Sequence, residues 1–268
     1  MSKVNGMRYI ADHDYHIHST VSLCCHDDSQ TPEAILSYAR RNGFTSVCLT
    51  NHFWDEKVKS EADWCDEHDF SHVSSVLPLP QAEGTRFLFG AETDMDFNNI
   101  VGVSRERMEL FDFIIVSTTH LHLDGNTVKT KIQTPEEAAY HWVDKLENLL
   151  KKELPWHKIG IAHLTTGHIL KGRTHEVLPL ISDKILRDLF SECANKGVGI
   201  ELNVKTIGMS SEQRDIFMRP YFIAKECGCK FYFGSDSHKA SALIGTKENF
   251  DHVTDTLSLN ETDKFRLK

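Results

Sequence analysis

Seven short apolar runs, alternating with helical segments, constrain this chain more than any other feature of its sequence. The runs are Tyr9–His16, Ser46–Thr50, Arg86–Glu92, Phe111–Ser117, Lys158–His163, Val198–Asn203 and Lys230–Asp236. They are apolar throughout rather than alternating, which suits strands covered on both faces. Between them lie helix starts and stops. Thr31-Pro32-Glu33 places a capping hydroxyl, a first-turn proline and an acid at the positive helix end, and Gly43 closes that segment. Thr134-Pro135-Glu136-Glu137 and Ser210-Ser211-Glu212-Gln213 read as capping boxes, and the helix over 182–195 stops at Gly197. Strand–helix alternation of this kind predicts a parallel sheet with right-handed crossovers. No G-x-G-x-x-G or G-x-x-x-x-G-K-[ST] follows the first run, so an α/β barrel is expected over a nucleotide-binding doubly wound sheet.

A chain of 268 residues with 40% hydrophobic content can bury a large core, and α/β barrels of this length are commonly one domain. A single domain over 1–268 is expected, with an acidic excursion at 55–85 that includes a helix within 56–70, and a polar helical tail at 246–268. The net charge of −9 argues against general nucleic-acid binding. The first six residues are polar, and no run approaches the roughly 20 apolar residues of a membrane span. The seven cysteines include no C-x-x-C pair; Cys48 falls in a strand and Cys227-Gly228-Cys229 at a turn. Reduced thiols in a cytoplasmic protein are expected.

The 16 histidines are the compositional oddity, and many fall at strand ends. Asp14-Tyr15-His16-Ile17-His18 is an H-x-H pair in an extended segment, which sends both imidazoles to one side as ready ligands for a divalent cation. His52 follows the second run, Glu92 and Asp94 end the third, and His120 and His122 follow the fourth. His163 ends the fifth, Glu201 and Asn203 the sixth, and Asp236 and His238 the seventh. In a βα barrel all these ends share one face. A buried carboxylate without a cation is costly, so Glu92 and Asp236 are expected to face metal. His122, Asp94 and Glu201 are expected to support ligands rather than bind, and His72, His141 and His157 to be solvated. Asn203 either positions substrate or ties down a loop. After the H-x-H pair, Cys24, Cys25, His26, Asp27 and Asp28 could each return a ligand. His26 is preferred, because imidazole suits zinc, iron and manganese.

Taken together, His16-Ile17-His18, Asn51-His52, Gly90-Ala91-Glu92, His120, Ala162-His163-Leu164 and Gly234-Ser235-Asp236-Ser237-His238 resemble the motifs of the PHP (polymerase and histidinol phosphatase) superfamily. The resemblance runs from Asp14 to His238. It implies a distorted (β/α)7 TIM-like barrel holding two or three divalent metal ions, zinc, iron or manganese. It further implies His16, His18, Glu92 and Asp236 on one ion, and His120 and His163 on a second bridged by Glu92. His52, His238 and His26 would hold the third. The family pattern carries Asp where this chain has Asn51, which is expected to alter what orients His52. Its third early ligand also comes nearer to position 24 than to 26.

Such a site suits a phosphoesterase in which clustered cations activate a bridging water and clamp the attacking and leaving oxygens. A small phosphomonoester is the expected substrate, and L-histidinol phosphate is suggested by the resemblance to stand-alone members of the family. Glu92 and Asp236 are the expected catalytic carboxylates. Arg173 and His168, with Lys171 and His175 beside them, are candidates for gripping phosphate or protonating the leaving group. Three alternatives are a phosphodiesterase or nuclease of the same superfamily, a C–N hydrolase of the amidohydrolase kind, and a non-catalytic metal-binding module. The amidohydrolase kind uses a lysine at a middle strand end, and none ends the third to fifth runs here.

Overall fold

The computed structural model describes residues 6–62 and 68–267. Seven strands alternate with eight α-helices among these residues. In chain order they are β1 (His13–Ile17), α1 (Pro32–Arg41), β2 (Ser46–Leu49), α2 (Phe70–Val73), β3 (Arg86–Asp94), α3 (Arg105–Met108), β4 (Phe113–Ser117) and α4 (Pro135–Leu150). Then come β5 (Ile159–Ala162), α5 (Thr174–Val177), α6 (Asp183–Lys196), β6 (Gly199–Leu202), α7 (Ser211–Glu226), β7 (Lys230–Phe233) and α8 (Thr246–Leu257). Every neighbouring pair is parallel, and strand order in the sheet follows sequence order. Just past the strands, Asp236 N–H donates to His16 O at 2.7 Å and His18 N–H to Ser237 O at 3.0 Å. These two bonds bring β7 back to β1 and nearly close a seven-stranded TIM-like barrel.

The helix starts work as their residues dictate. Thr31 caps α1 through the Ala34 N–H, with Pro32 in the first turn. Thr134 and Glu137 form both bonds of a capping box on α4. At α7 the Ser210 hydroxyl accepts from the Gln213 N–H. Gly197 ends α6 in the left-handed region at φ 71°. The run 9–16 becomes β1 only from His13, because Tyr9 N–H is drawn instead to Leu259 O in the tail. Of the helix expected within 56–70, residues 63–67 lie outside the described ones; α2 begins where that stretch ends.

Two apolar layers result. Tyr15, Cys48, Leu88, Phe113, Ile115, Ala162 and Tyr232 fill the barrel interior, while the larger core packs between the strands and the surrounding helices. Strand β3 pairs with β2 through residues 86–89 and with β4 through 90–94. It bends between them at Gly90, where a Cβ would stand 2.6 Å from both Cys48 Sγ and Phe113 O. Only glycine allows that approach.

The tail is more than a polar helix. After α8 the chain returns beneath the barrel, where Phe265 N–H donates to Phe231 O at 2.8 Å. The Phe265 ring packs on Phe113 and Tyr232 and seals the interior from below. Burying such a ring contributes about 1.5–3 kcal/mol. Next to it Lys264 Nζ, almost wholly buried, reaches Asp12 at 3.1 Å and Glu261 at 2.8 Å. No described helix is long and apolar enough to cross a membrane, and the six described cysteines are unpaired.

Burial alone would raise the Asp12 carboxyl, but the hydrogen bond and charge of His13 and the charge of Lys264 outweigh it and bring it down to about 2. A folded-state value below the ordinary 3.8 means that this pairing stabilises the fold above that pH and stops doing so as the folded carboxyl protonates. Asp12→Asn should therefore be less stable than the parent above about pH 5. The margin should close as pH falls through about 4 to about 2. Urea unfolding midpoints for the two proteins across that range measure it.

Candidate metal centre

The C-terminal ends of the seven strands carry a compact set of donors. Glu92, near the end of β3, is 1% exposed. Its Oε2 lies 3.2 Å from His16 Nε2, 3.2 Å from His18 Nε2 and 3.1 Å from His52 Nδ1. Its Oε1 lies 3.3 Å from His163 Nε2 and 3.8 Å from His120 Nε2. Yet neither oxygen has a hydrogen-bond partner, and nor does His163 Nε2. The nitrogens crowd the carboxylate without pointing N–H groups at it. Asp236 straddles the same ground: Oδ1 is 3.5 Å from His16 and 3.3 Å from His18, and Oδ2 is 3.4 Å from His163.

Two sets of donors have their ligand atoms within 4.8 Å of one another: His16, Glu92, His163 and Asp236, and His18, His52 and His238. The two sets adjoin, for His18 Nε2 lies 3.1 Å from His16 Nε2 and the rings of His120 and His163 stack at 4.7 Å. His163 and Asp236 also hold left-handed backbone, at φ 60° and 52°. Side chains rarely adopt that conformation, and it turns both donors back toward the centre just past their strands.

Five of the imidazoles have the outer nitrogen tied down. His16 Nδ1 donates to Glu201 Oε1 at 2.6 Å, and Glu201 Oε2 accepts from His163 N–H at 3.1 Å. His120 Nδ1 donates to Asp94 Oδ1 at 2.9 Å. His163 Nδ1 meets Ser117 Oγ at 3.1 Å, His18 Nδ1 donates to Ser22 Oγ at 2.9 Å, and His238 Nδ1 donates to Asp236 O at 3.1 Å. A partner on one ring nitrogen fixes the ring and leaves the other nitrogen facing inward. Gly234 makes the tightest of these pairings possible. A Cβ there would stand 2.1 Å from Glu201 Oε1 and 2.5 Å from His16 Cβ.

Electrostatics follow from burial and proximity. Burial would raise the Glu92 carboxyl, but the imidazoles of His16, His52 and His163 hold it well below the carboxylate range. Asp236 is lowered in the same way, chiefly by His16 against its own burial. Burial pushes His52 well below the usual imidazole value, and burial with the charge of His18 takes His238 to about 4. Both are therefore neutral donors at neutral pH. His120 goes the other way: against burial, Asp94 raises it to about 9. A cation binding at its Nε2 must displace a proton. Orphaned carboxylate oxygens and inward-facing imidazole nitrogens, with no thiolate in either set, fit a divalent cation.

Residues 14–205 match the PHP domain family. The chain belongs to that family. Among solved structures it is similar to a histidinol phosphate phosphatase from Lactococcus lactis subsp. lactis, solved with zinc, L-histidinol and phosphate. That likeness has a TM-score of 0.62 at 15% identity and covers 96% of this chain and 100% of that one. A candidate histidinol phosphatase from Listeria monocytogenes superposes with a TM-score of 0.55 at 13% identity, over 87% of this chain and 97% of that one. At such identities these likenesses show a shared fold. No curated protein matches the chain by sequence.

The remaining expected residues divide. His168 lines the same cavity, with Nε2 3.9 Å from Asp236 Oδ2 and its side chain 39% exposed. Arg173 does not line it. Its guanidinium is bound to Glu176 on the first turn of α5 and to Gln133 O, at 45% exposure, because that short helix starts just past the β5 loop and turns it outward. His26 is exposed and belongs to neither donor set. It borders a neighbouring shallow cavity with Cys24, Asp27, Asp28 and Lys239, while Cys24 also borders the donor cavity. Asn203 lines a separate cavity between the ends of β6 and β7. His72 donates to, or accepts at, no donor of the centre; its Nε2 meets Val21 O at 2.8 Å.

Asn51 acts through two serines of the turn after β1, one of which also accepts from the His52 N–H at 3.3 Å. Its Oδ1 accepts from Ser19 N–H at 2.8 Å and from Ser22 Oγ at 3.1 Å, and Ser22 is the residue that orients His18. Ser22 and Ser117 were invisible to sequence reasoning, since nothing in a lone serine marks it as a histidine's partner before the fold is known. The geometry makes Glu201 the strongest of these supports. Glu201→Gln, which turns one of two acceptors into a donor facing an N–H group, should weaken divalent metal binding about 10–100-fold. Metal titration by calorimetry reads the change, with circular dichroism to confirm an intact fold.

Proposed function

We propose that this chain is a metal-dependent phosphomonoesterase acting on a small phosphorylated substrate. The observation that carries the reading is the buried Glu92 carboxylate. It is held ionised among imidazoles, yet neither of its oxygens accepts a hydrogen bond. Such a group is costly in a protein interior unless cations face it. His16, Glu92, His163 and Asp236 would hold one ion, and His18, His52 and His238 another. His120 reaches the Oε1 side of Glu92. Divalent cations supply Lewis acidity toward the phosphoryl group and an activated water at neutral pH.

The protein's own residues do the rest. Glu92 and Asp236 keep the two donor sets together, because Glu92 Oε2 and Asp236 Oδ1 each lie beside both His16 and His18. Glu201, Asp94, Ser22 and Ser117 hold the imidazoles in place, so little reorganisation is needed when charge develops on the phosphoryl oxygens. His168 stands at the half-exposed rim, where its ring can hold a phosphoryl oxygen or hand a proton to the leaving alcohol. Among the described residues no arginine or lysine lines the cavity, so the phosphate is held by cations and imidazoles. The same lining gives the C–N hydrolase alternative no lysine to work with. Buried Lys145, in α4, is engaged with the carbonyls of Met95 and Asp96 instead.

L-Histidinol phosphate is the first natural ester to test, since the Lactococcus lactis structure was solved with L-histidinol and phosphate. Metal-loaded protein should release phosphate from an aryl phosphate, and a chelator should abolish the release. Glu92→Gln should lose bound metal from both donor sets, read by elemental analysis, with activity falling at least a hundredfold (about 2.7 kcal/mol). A folded, fully metallated protein that releases no phosphate overturns the reading.

A further inference from the structure

The cavity above the donors has a second wall that the phosphoryl chemistry leaves unused. It measures about 450 Å³ and opens from the donors past Leu23, Phe53, Trp54 and Leu123. This wall is built rather than incidental. Trp54 is 7% exposed, its indole N–H donates to Val58 O at 3.2 Å, and its ring lies where a Cβ on Gly102 would sit, 2.3 Å from Cε3. Phe53 is buried against the Phe111 ring, centroids 5.1 Å apart. Leu23, by contrast, is 39% exposed at the mouth.

Charge is as informative as shape. The lining carboxylates among the described residues are Asp94 and Asp236. Asp94 accepts from His120, and Asp236 faces His16, His18 and His163. Both are already faced by imidazoles, and among the described residues no lining lysine or arginine answers a second anion. A buried charge without a partner binds poorly, whereas apolar surface against this wall binds well.

We infer that the cavity selects a phosphomonoester whose alcohol portion is uncharged and apolar, with Trp54 and Phe53 as its specificity-determining residues. This rests on the phosphoesterase reading for turnover but not for binding. It ranks a phenylalkyl phosphate above L-histidinol phosphate, which carries an ammonium group, and above glycerol phosphate. All three are primary alkyl esters with similar leaving groups, so the ranking reports recognition.

The test has two arms on the metal-loaded protein. Turnover of 2-phenylethyl, L-histidinol and glycerol phosphates gives kcat/KM, with the phenyl ester expected at least tenfold ahead. Binding of 2-phenylethyl phosphonate and ethyl phosphonate, whose P–C bonds do not hydrolyse, gives affinities by calorimetry. The aryl compound should bind at least tenfold tighter, and Trp54→Ala should bring that ratio close to one. Trp54→Phe should restore part of it, which guards against a variant that fails to fold. Selective phosphonate binding without any turnover would sink the phosphoesterase reading and uphold the wall. Equal phosphonate affinities, or L-histidinol or glycerol phosphate matching the phenyl ester, would overturn the inference.

Discussion

A carboxylate taken out of water must be compensated, and in this protein that requirement is concentrated on Glu92. It ends up between five imidazoles contributed from positions as far apart as 16 and 163. Hydrogen bonds would normally settle such a group, and here they do not. Much of the remaining architecture can be understood as holding those imidazoles at that distance with one ring nitrogen of each inward. The barrel gathers strand ends onto one face. The left-handed turns at His163 and Asp236 aim two donors back across it. Glycine at 234 lets β7 pass close enough for Glu201 to grip His16.

Support of this kind comes in layers that depend on one another. Glu201 holds both the ring of His16 and the backbone of His163, so one carboxylate coordinates the exits of β1 and β5. Asp14 sits behind them, accepting from Ser235 N–H and the Tyr38 hydroxyl, and burial raises its own carboxyl to about 6. These groups are buried and spoken for, so a change at any of them propagates to the donors through a hydrogen bond rather than through water. The distribution also explains why the apolar layers matter to the chemistry. Phe265 closes the floor, and a filled interior keeps the strand ends from shifting relative to one another.

The barrel was legible because its signals are local: apolar runs, capping residues and glycine stops each act over a few positions. The strand-end donors were legible for a different reason. Sequence places them just past each run, and parallel topology alone then brings them to one rim. What sequence could not show depends on side-chain direction or distant pairing. His26 and Arg173 have suitable chemistry, but a loop exit and a short helix start turn them outward. The tail reads as polar because its one decisive ring, Phe265, is a single residue whose partners lie at Phe113 and Tyr232.

Asn51 shows how a substitution in a family pattern can be absorbed. An aspartate there could only accept hydrogen bonds. The amide accepts from Ser19 N–H and Ser22 Oγ through one atom and donates to Ser19 Oγ at 3.1 Å through the other. The Ser19–Ser22 turn is thereby tied from both sides, and Ser22 passes that order to His18. The exchange also removes a negative charge from a neighbourhood that already buries Glu92, Asp94 and Glu201. The departure at position 51 takes effect through this turn, whose Ser22 Oγ also accepts from the His52 N–H at 3.3 Å.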